Sequence, residues 1–108
     1  MKDLNTILER IRTSRDIYDT CKLSQVAEQS TILRELSVCY SELTDHRIKA
    51  REDWMFYYFE HQGSNAAKEK YADYKIPELY LIRRTMESTK VLIDSVRSTL
   101  SSAKADNS

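Results

Sequence analysis

The sequence contains almost no glycine or proline: Gly63 and Pro77 are the only examples among 108 residues. Tight β-hairpin turns need residues that tolerate a positive φ, usually Gly or Asn. Residues that favour helices, such as Leu, Glu, Lys, Arg and Ala, are frequent instead. The shortage therefore argues against a strand-rich fold, and it excludes the glycine-rich loops that bind nucleotide phosphates.

Disulfides, membrane spans and an excess of one charge are missing as well. Cys21 and Cys39 are the only cysteines, too few for a disulfide scaffold, so we expect two reduced thiols. The 17 Lys and Arg residues balance 17 Asp and Glu residues, which leaves no overall basic footprint for duplex DNA or an anionic membrane. No apolar run approaches a membrane span, and MKDLNTILER has no signal-peptide core. We expect a cytoplasmic protein that does not bind membranes.

Local patterns divide the chain into four predicted helices within one domain. Side chains that can cap the free amides precede three of them: Asp3 or Asn5, then Ser24, then Ser64. Gly63 is expected to end the second helix as its C′ residue, and Pro77 to end the third and begin the fourth. A change of phase by one residue places a break or kink near Lys22 to Ser24, with one bent continuous helix as the alternative. The predicted spans are about 4–22, 25–61, 65–75 and 77–103, with a frayed tail at 104–108.

Three apolar stripes at alternating three- and four-residue spacing define the predicted packing. The first contains Leu4, Ile7, Ile11, Ser14, Tyr18 and Cys21. The second is a heptad pattern: Val26, Gln29, Leu33, Leu36, Tyr40, Leu43, Arg47, Ala50, Trp54, Tyr57 and His61. The third contains Leu79, Ile82, Met86, Thr89, Ile93, Val96, Leu100 and Ala103. We therefore predict an all-α fold: an antiparallel helical hairpin and three-helix bundle with coiled-coil-like heptad seams and one short extra helix.

Arg47 lies within the second stripe among apolar neighbours. A buried arginine would need a charged partner, and polar seam residues often fix the alignment of paired helices. The alternative is that its aliphatic stem packs while its guanidinium reaches water.

Aromatic residues concentrate at one end of the hairpin, since eight of the ten lie between Trp54 and Tyr80. Besides the seam, the second helix carries another stripe almost opposite to it, comprising Ile48, Met55, Phe56 and Phe59, with Tyr58 beside them. A helix that is apolar on two faces must bury both or use one for binding. Three alternatives stay open: the short helix covers the stripe through Ala67, Tyr71 and Tyr74; a second copy covers it; or a different protein does.

The residues that carry chemistry show no catalytic arrangement. Cys39 and His46 are two helical turns apart, too far to share one metal ion without other ligands, and no Glu-x-x-His pair suggests a di-metal bundle. Neither cysteine has an activating base at fixed spacing, and the serines are scattered. We therefore predict a protein that is not an enzyme and has no cofactor and no metal.

A segment of mixed basic and aromatic residues supports a weaker alternative, because single strands bind to such segments by stacking and charge. Its members are Lys68, Lys70, Tyr71, Tyr74, Lys75, Arg83 and Arg84, close to Tyr80. Acidic residues within the same segment, Glu69, Asp73 and Glu78, dilute the pattern. An exposed amphipathic helix would have a similar composition.

From about residue 32 to 105 the chain resembles small helical accessory proteins encoded by phages and prophages. The resemblance is carried by a long helix ending in DWMFYYFEHQGS, the short helix NAAKEKYADYK and the closing helix TKVLIDSVRSTLSSAKAD. It covers the layout and no diagnostic motif, so it assigns no functional residues. It implies an accessory protein near recombination genes or an inhibitor of a host defence protein, acting in the host cytoplasm. We predict a homodimeric protein-binding module, with single-stranded nucleic-acid binding as the alternative.

Overall fold

The computed structural model describes residues 2–22 and 25–106, with side chains up to residue 103. The described chain forms four helices: α1 (Leu4–Thr20), α2 (Val26–Glu60), α3 (Asn65–Lys75) and α4 (Glu78–Asp106). Within these ranges no residue belongs to a strand. The predicted all-helical class is therefore confirmed, and α1 and α2 are separate helices.

Two of the predicted caps are present. The Asp3 carboxylate accepts a hydrogen bond from the Thr6 amide at the start of α1, and the Ser64 hydroxyl accepts one from the Ala67 amide at the start of α3. Each satisfies one of the amides that the first helical turn leaves free. Ser24, the predicted cap of α2, lies outside the described residues, and Gln25 at that cap makes no capping bond through its side chain.

Gly63 does not occupy the predicted C′ position. The helix α2 ends at Glu60, and His61 caps it in an extended conformation, with its amide donating to the Tyr57 carbonyl. The C′ residue is therefore Gln62. Gly63 follows with φ 129°, a conformation that L side chains rarely adopt, and it turns the chain into α3.

The other helix ends differ from the predicted ones by a few residues. Cys21 already has extended backbone, so α1 stops at Thr20 and not at residue 22. Pro77 lies just before α4, which begins at Glu78 and continues to Asp106, three residues beyond the predicted end. Burial of Ala103 anchors this last turn against the rest of the protein.

The stripe of α4 forms one side of the core. All eight of its predicted members are buried: Leu79, Ile82, Met86, Thr89, Ile93, Val96, Leu100 and Ala103. In α1 the stripe is also buried at Ile7, Ile11 and Ser14. Both helices have one apolar face, so three–four spacing identifies the buried positions directly.

The core face of α2 is wider than the predicted stripe. Leu36, Leu43 and Ala50 are buried as predicted, but Ile32 and Cys39 are buried as well. The helix α2 packs against both α1 and α4, so two of its adjoining faces are buried. Ile32 and Cys39 belong to the face that the predicted stripe does not include. Arg47 is exposed, which agrees with the alternative in which its guanidinium reaches water.

The helices pack in an elongated arrangement with extents of 62 × 23 × 18 Å. The helix α2 contacts each of the other three. The Tyr18 hydroxyl of α1 lies 2.8 Å from the Thr99 hydroxyl of α4, which joins these two helices directly. The helix α3 packs against the end of α2 that α1 does not reach.

Candidate contact surface

Four large apolar side chains in the C-terminal half of α2 are exposed to solvent, and Val38, 42% exposed, is a fifth nearer the start of the helix. Exposed fractions are 51% for Ile48, 41% for Met55, 64% for Phe56 and 69% for Phe59. We call these four residues the outward face. Tyr58, grouped with them on sequence grounds, is half-buried. Exposed aromatic rings in one cluster are uncommon on a small protein and are typical of interaction sites.

The helix α3 packs on a different side of α2. Trp54 donates from Nε1 to the Asp73 carboxylate at 2.8 Å, and the His61 ring stacks on Tyr71 with centroids 4.5 Å apart. Tyr71 also meets the edge of Tyr57. The short helix therefore covers the end of the core stripe and leaves the outward face open, so the alternative in which α3 covers the outward face is wrong.

Tyr58 lies between these two sides. Its hydroxyl donates to Asn65 Oδ1 at 3.1 Å, its ring stacks on Trp54, and Phe59 meets it edge-on. The Lys68 amine lies 5.6 Å from the same ring. Tyr58 thus links the aromatic side chains of α2 to Asn65 and Lys68 of α3. It also forms the margin of the outward face.

The basic–aromatic segment is divided between α3 and α4. Tyr71 is half-buried and stacked on His61, while the Lys75 amine lies 5.7 Å from the centroids of both Tyr57 and Tyr71. Tyr74 and Tyr80 are 79% and 69% exposed, and the charged members Lys70, Arg83 and Arg84 are exposed too. With Lys75, which is also exposed, two rings and four charges are therefore accessible, whereas Tyr71 already has partners within the protein.

The two thiols lie in surroundings that suppress ionisation. Burial raises the pKa of the Cys39 thiol, although the nearby Arg10 charge opposes this. Burial and then the Glu28 carboxylate raise the pKa of Cys21. Both groups are poorer nucleophiles than a free cysteine, because the thiolate is the reactive form. Among the described residues, no group of three or more His, Cys, Asp or Glu side chains could hold a metal ion.

An ion-pair network between α1 and α2 was not foreseen from the sequence. Arg10 donates from Nε to Glu35 and from Nη1 to Glu42 Oε2, the latter at 3.1 Å. The hydrogen bond from Arg10 lowers the pKa of the Glu35 carboxyl. A signal was available, since Arg10 adjoins the buried Ile7 and Ile11 on α1, and two acids seven residues apart face one side of α2.

Comparison with known proteins adds no relative, since no family model, curated protein or solved structure matches the chain. None of the helices, over the ranges that the structure describes, is long and apolar enough to cross a bilayer.

Proposed function

We propose that this protein is a non-enzymatic protein-binding module whose contact surface is the outward face, with Tyr58 at its margin. The exposure of Phe56 and Phe59 carries the proposal, because α3 packs elsewhere on α2. Leaving two phenylalanines in water lowers solubility and favours association. A chain without a binding role for them would be expected to carry polar residues there.

The size of the outward face suits a protein interface. An aromatic side chain contributes roughly 150–250 Å² when fully buried, so the exposed parts of these four residues amount to something on the order of 400 Å². A standard interface takes about 800 Å² from each partner, of which about 56–65% is apolar. The outward face could therefore supply most of the apolar area of one such interface.

A second copy of the chain is the first occupant that we propose, which makes the module a homodimer. The four residues of the outward face lie on one side of a single helix, and two such helices can pack against each other about a two-fold axis. A host protein is the second occupant, as expected of the phage accessory and inhibitor proteins that the sequence resembles. In that setting the protein acts in the host cytoplasm.

The architecture that we propose for the module is an antiparallel hairpin of α2 and α4 with coiled-coil-like seams. In this arrangement α1 folds back along α2 and completes a three-helix bundle, while α3 is the short extra helix. The proposal is supported by the contacts of α2 with α4 and α1, and by the bond from Tyr18 to Thr99.

A paired substitution tests the binding role. Phe56→Glu with Phe59→Glu should abolish capture of a partner from bacterial extract, or dissociate a dimer, while circular dichroism shows unchanged helicity. The control is Leu81→Glu with Val91→Glu, which places charges on exposed apolar residues of α4 and should preserve binding. If the Phe56 and Phe59 variant unfolds, these residues belong to the core and the proposal fails.

Binding of single-stranded nucleic acid is the second candidate. The exposed rings of Tyr74 and Tyr80 favour it, together with Arg83 in the groove that Tyr80 lines. Stacking on such rings and phosphate contacts predict an affinity that falls steeply as salt rises. Fluorescence anisotropy with a labelled oligonucleotide tests this, and absence of binding at low salt would eliminate the candidate.

A further inference from the structure

The residue pattern on the face of α2 that contacts α1 recurs nearer the C-terminal end of the same helix. Eighteen residues make five complete turns at 3.6 residues per turn, so residues 18 apart point in the same direction. Glu35, Cys39 and Glu42 are followed at that interval by Asp53, Tyr57 and Glu60. We call the first set the Cys39 face and the second set the Tyr57 face. Both place two acids around one less polar residue at the same spacing.

The Cys39 face shows what this arrangement binds. Cys39 is fully buried under α1, and Arg10 of α1 bridges Glu35 and Glu42 on either side of it. Beside Arg10 in α1 stand the buried residues Ile7 and Ile11. The occupant of this face is thus a helix with apolar residues four apart and an arginine between them.

On the Tyr57 face, Tyr57 itself is half-buried beside Tyr71 and Lys75 of α3, but no helix of the described chain lies over its acidic edge, Asp53 and Glu60. The carbonyl of Lys2, just before α1, bonds to the His46 ring, so the start of α1 lies near His46 on α2. Beyond it, residues 47–60 continue for about 21 Å at roughly 1.5 Å per residue, or about four turns. The α1 helix therefore covers the N-terminal part of this side of α2 and stops about two turns before Asp53, the first residue of the Tyr57 face.

The two acids of the Tyr57 face are available for pairing. Among the described residues, Asp53 forms an ion pair only with Lys49, four residues away and 62% exposed, a contact that contributes little to stability. Glu60 has neither a hydrogen bond nor an ion pair within the described part of the chain. The Lys75 amine lies over the Tyr57 ring and is not within ion-pair distance of either carboxylate. Neither acid is therefore held by a buried ion pair, and the cations that contact this face, Lys49 and Lys75, are exposed.

We propose that the Tyr57 face is the docking site for an arginine-bearing amphipathic helix of a partner protein, lying end to end with α1. Continuity with the α1 interface and the matching spacing of the acids support this occupant. The arginine would bridge Asp53 and Glu60 as Arg10 bridges Glu35 and Glu42. The site is separate from the outward face, because Tyr57 lies nine residues, or two and a half turns, from Ile48.

The probe is a labelled peptide with the sequence of residues 2–20. It carries the substitution Arg12→Lys, and a lactam bond from that side chain to the Asp16 carboxylate holds the peptide in a helix. Arg12 and Asp16 are both exposed on α1, so the bridge does not alter the docking side. The full-length protein should bind this peptide. Asp53→Asn with Glu60→Gln should weaken binding about tenfold or more, as expected for a bridged ion pair at an interface. The Arg10→Gln peptide should bind wild type about tenfold or more weakly than the unaltered peptide does. On the variant Asp53→Asn with Glu60→Gln, the same change in the peptide should weaken binding little further.

Two controls separate this site from others. Asp45→Asn with Glu52→Gln removes the same charge from another side of α2 and should leave the affinity unchanged. Glu35→Gln with Glu42→Gln tests whether the peptide has replaced α1; loss of binding there and not in the Asp53 and Glu60 variant would overturn the proposal. Absence of binding to wild type at millimolar peptide would also overturn it.

The oligomeric state tests whether a second copy of the chain, and not a partner protein, occupies the Tyr57 face. If wild type alone self-associates and Asp53→Asn with Glu60→Gln makes it monomeric, the face binds a second copy and the commitment to a partner protein is wrong. If a dimer persists in this variant and is lost only in Phe56→Glu with Phe59→Glu, the two faces act separately, as proposed.

Discussion

Arg10 makes the most specific contact between α1 and α2. Its guanidinium bonds to two carboxylates on α2, and the partly buried setting strengthens charge-assisted hydrogen bonds. The sequence predicted the apolar neighbours Ile7 and Ile11 because they follow the helical period. It did not predict the ion pairs, since a charge beside an apolar stripe is more often solvated, and only packing shows that α1 faces Glu35.

We predict that Arg10→Gln changes the dependence of stability on pH. The pKa of Glu35 is lowered in the folded protein by Arg10, so this contribution to stability is present above the usual pKa of about 4.3 and is lost as pH falls through the lower folded value. The variant should therefore be less stable than wild type at pH 7, and this difference should shrink at pH 3. Urea unfolding at both pH values measures it.

The matched control is Arg12→Gln. Arg12 pairs with Glu9 three residues away, and both side chains are more than 60% exposed, so removal should have little effect at either pH. An equal loss of stability for Arg10→Gln at pH 7 and pH 3 would show that the Glu35 carboxylate does not contribute to the effect.

At the scale of the helices, the existence of each element followed from the sequence better than its ends. Every position predicted for the core stripe of α4 is buried, because one face of this helix packs against the core and the other stays solvated. The width of the α2 core was underestimated, since Ile32 and Cys39 belong to a second packed face that a single stripe does not include. The predicted end of α2 was one residue too late: Gly63 follows the C′ residue Gln62, and glycine can serve at several positions after a helix.

We predict that Gly63→Ala destabilises the connection between α2 and α3. An alanine would have to adopt the φ of 129° found at this position, and its Cβ would also lie 3.4 Å from the Ala67 Cβ. Such strain costs about 1–3 kcal/mol in the free energy of unfolding. Urea unfolding measures it, with Gln62→Ala as a control that should change stability by less than about 0.5 kcal/mol.

The sites of the whole molecule could be predicted only in part. The outward face was identified because its residues fall on one side of α2 opposite the seam, but the sequence could not decide whether α3 covers it. That depended on how α3 is oriented, which the bonds from Trp54 to Asp73 and from Tyr58 to Asn65 reveal. The Tyr57 face could not be found without knowing where α1 ends along α2.

The end of α2 has two open regions, the aromatic outward face and the acidic edge formed by Asp53 and Glu60 beside the half-buried Tyr57. The acidic edge is open because α1 reaches only as far as His46, and the outward face is open because α3 packs on the core stripe. A short helix and a long helix leave surface that a longer α1 would have buried. This geometry gives a small helical chain separate places for a second copy and for a partner helix.

The central claim is that Phe56 and Phe59 form the contact surface of a homodimer and are not part of the core. Light scattering on wild type and on Phe56→Glu with Phe59→Glu, at equal concentration, tests it most directly, with circular dichroism at 222 nm as the check on folding. We predict the mass of two chains for wild type, the mass of one chain for the variant, and equal helicity. A wild type of single-chain mass, a variant that keeps the mass of two chains, or a variant that loses its helicity would contradict the account.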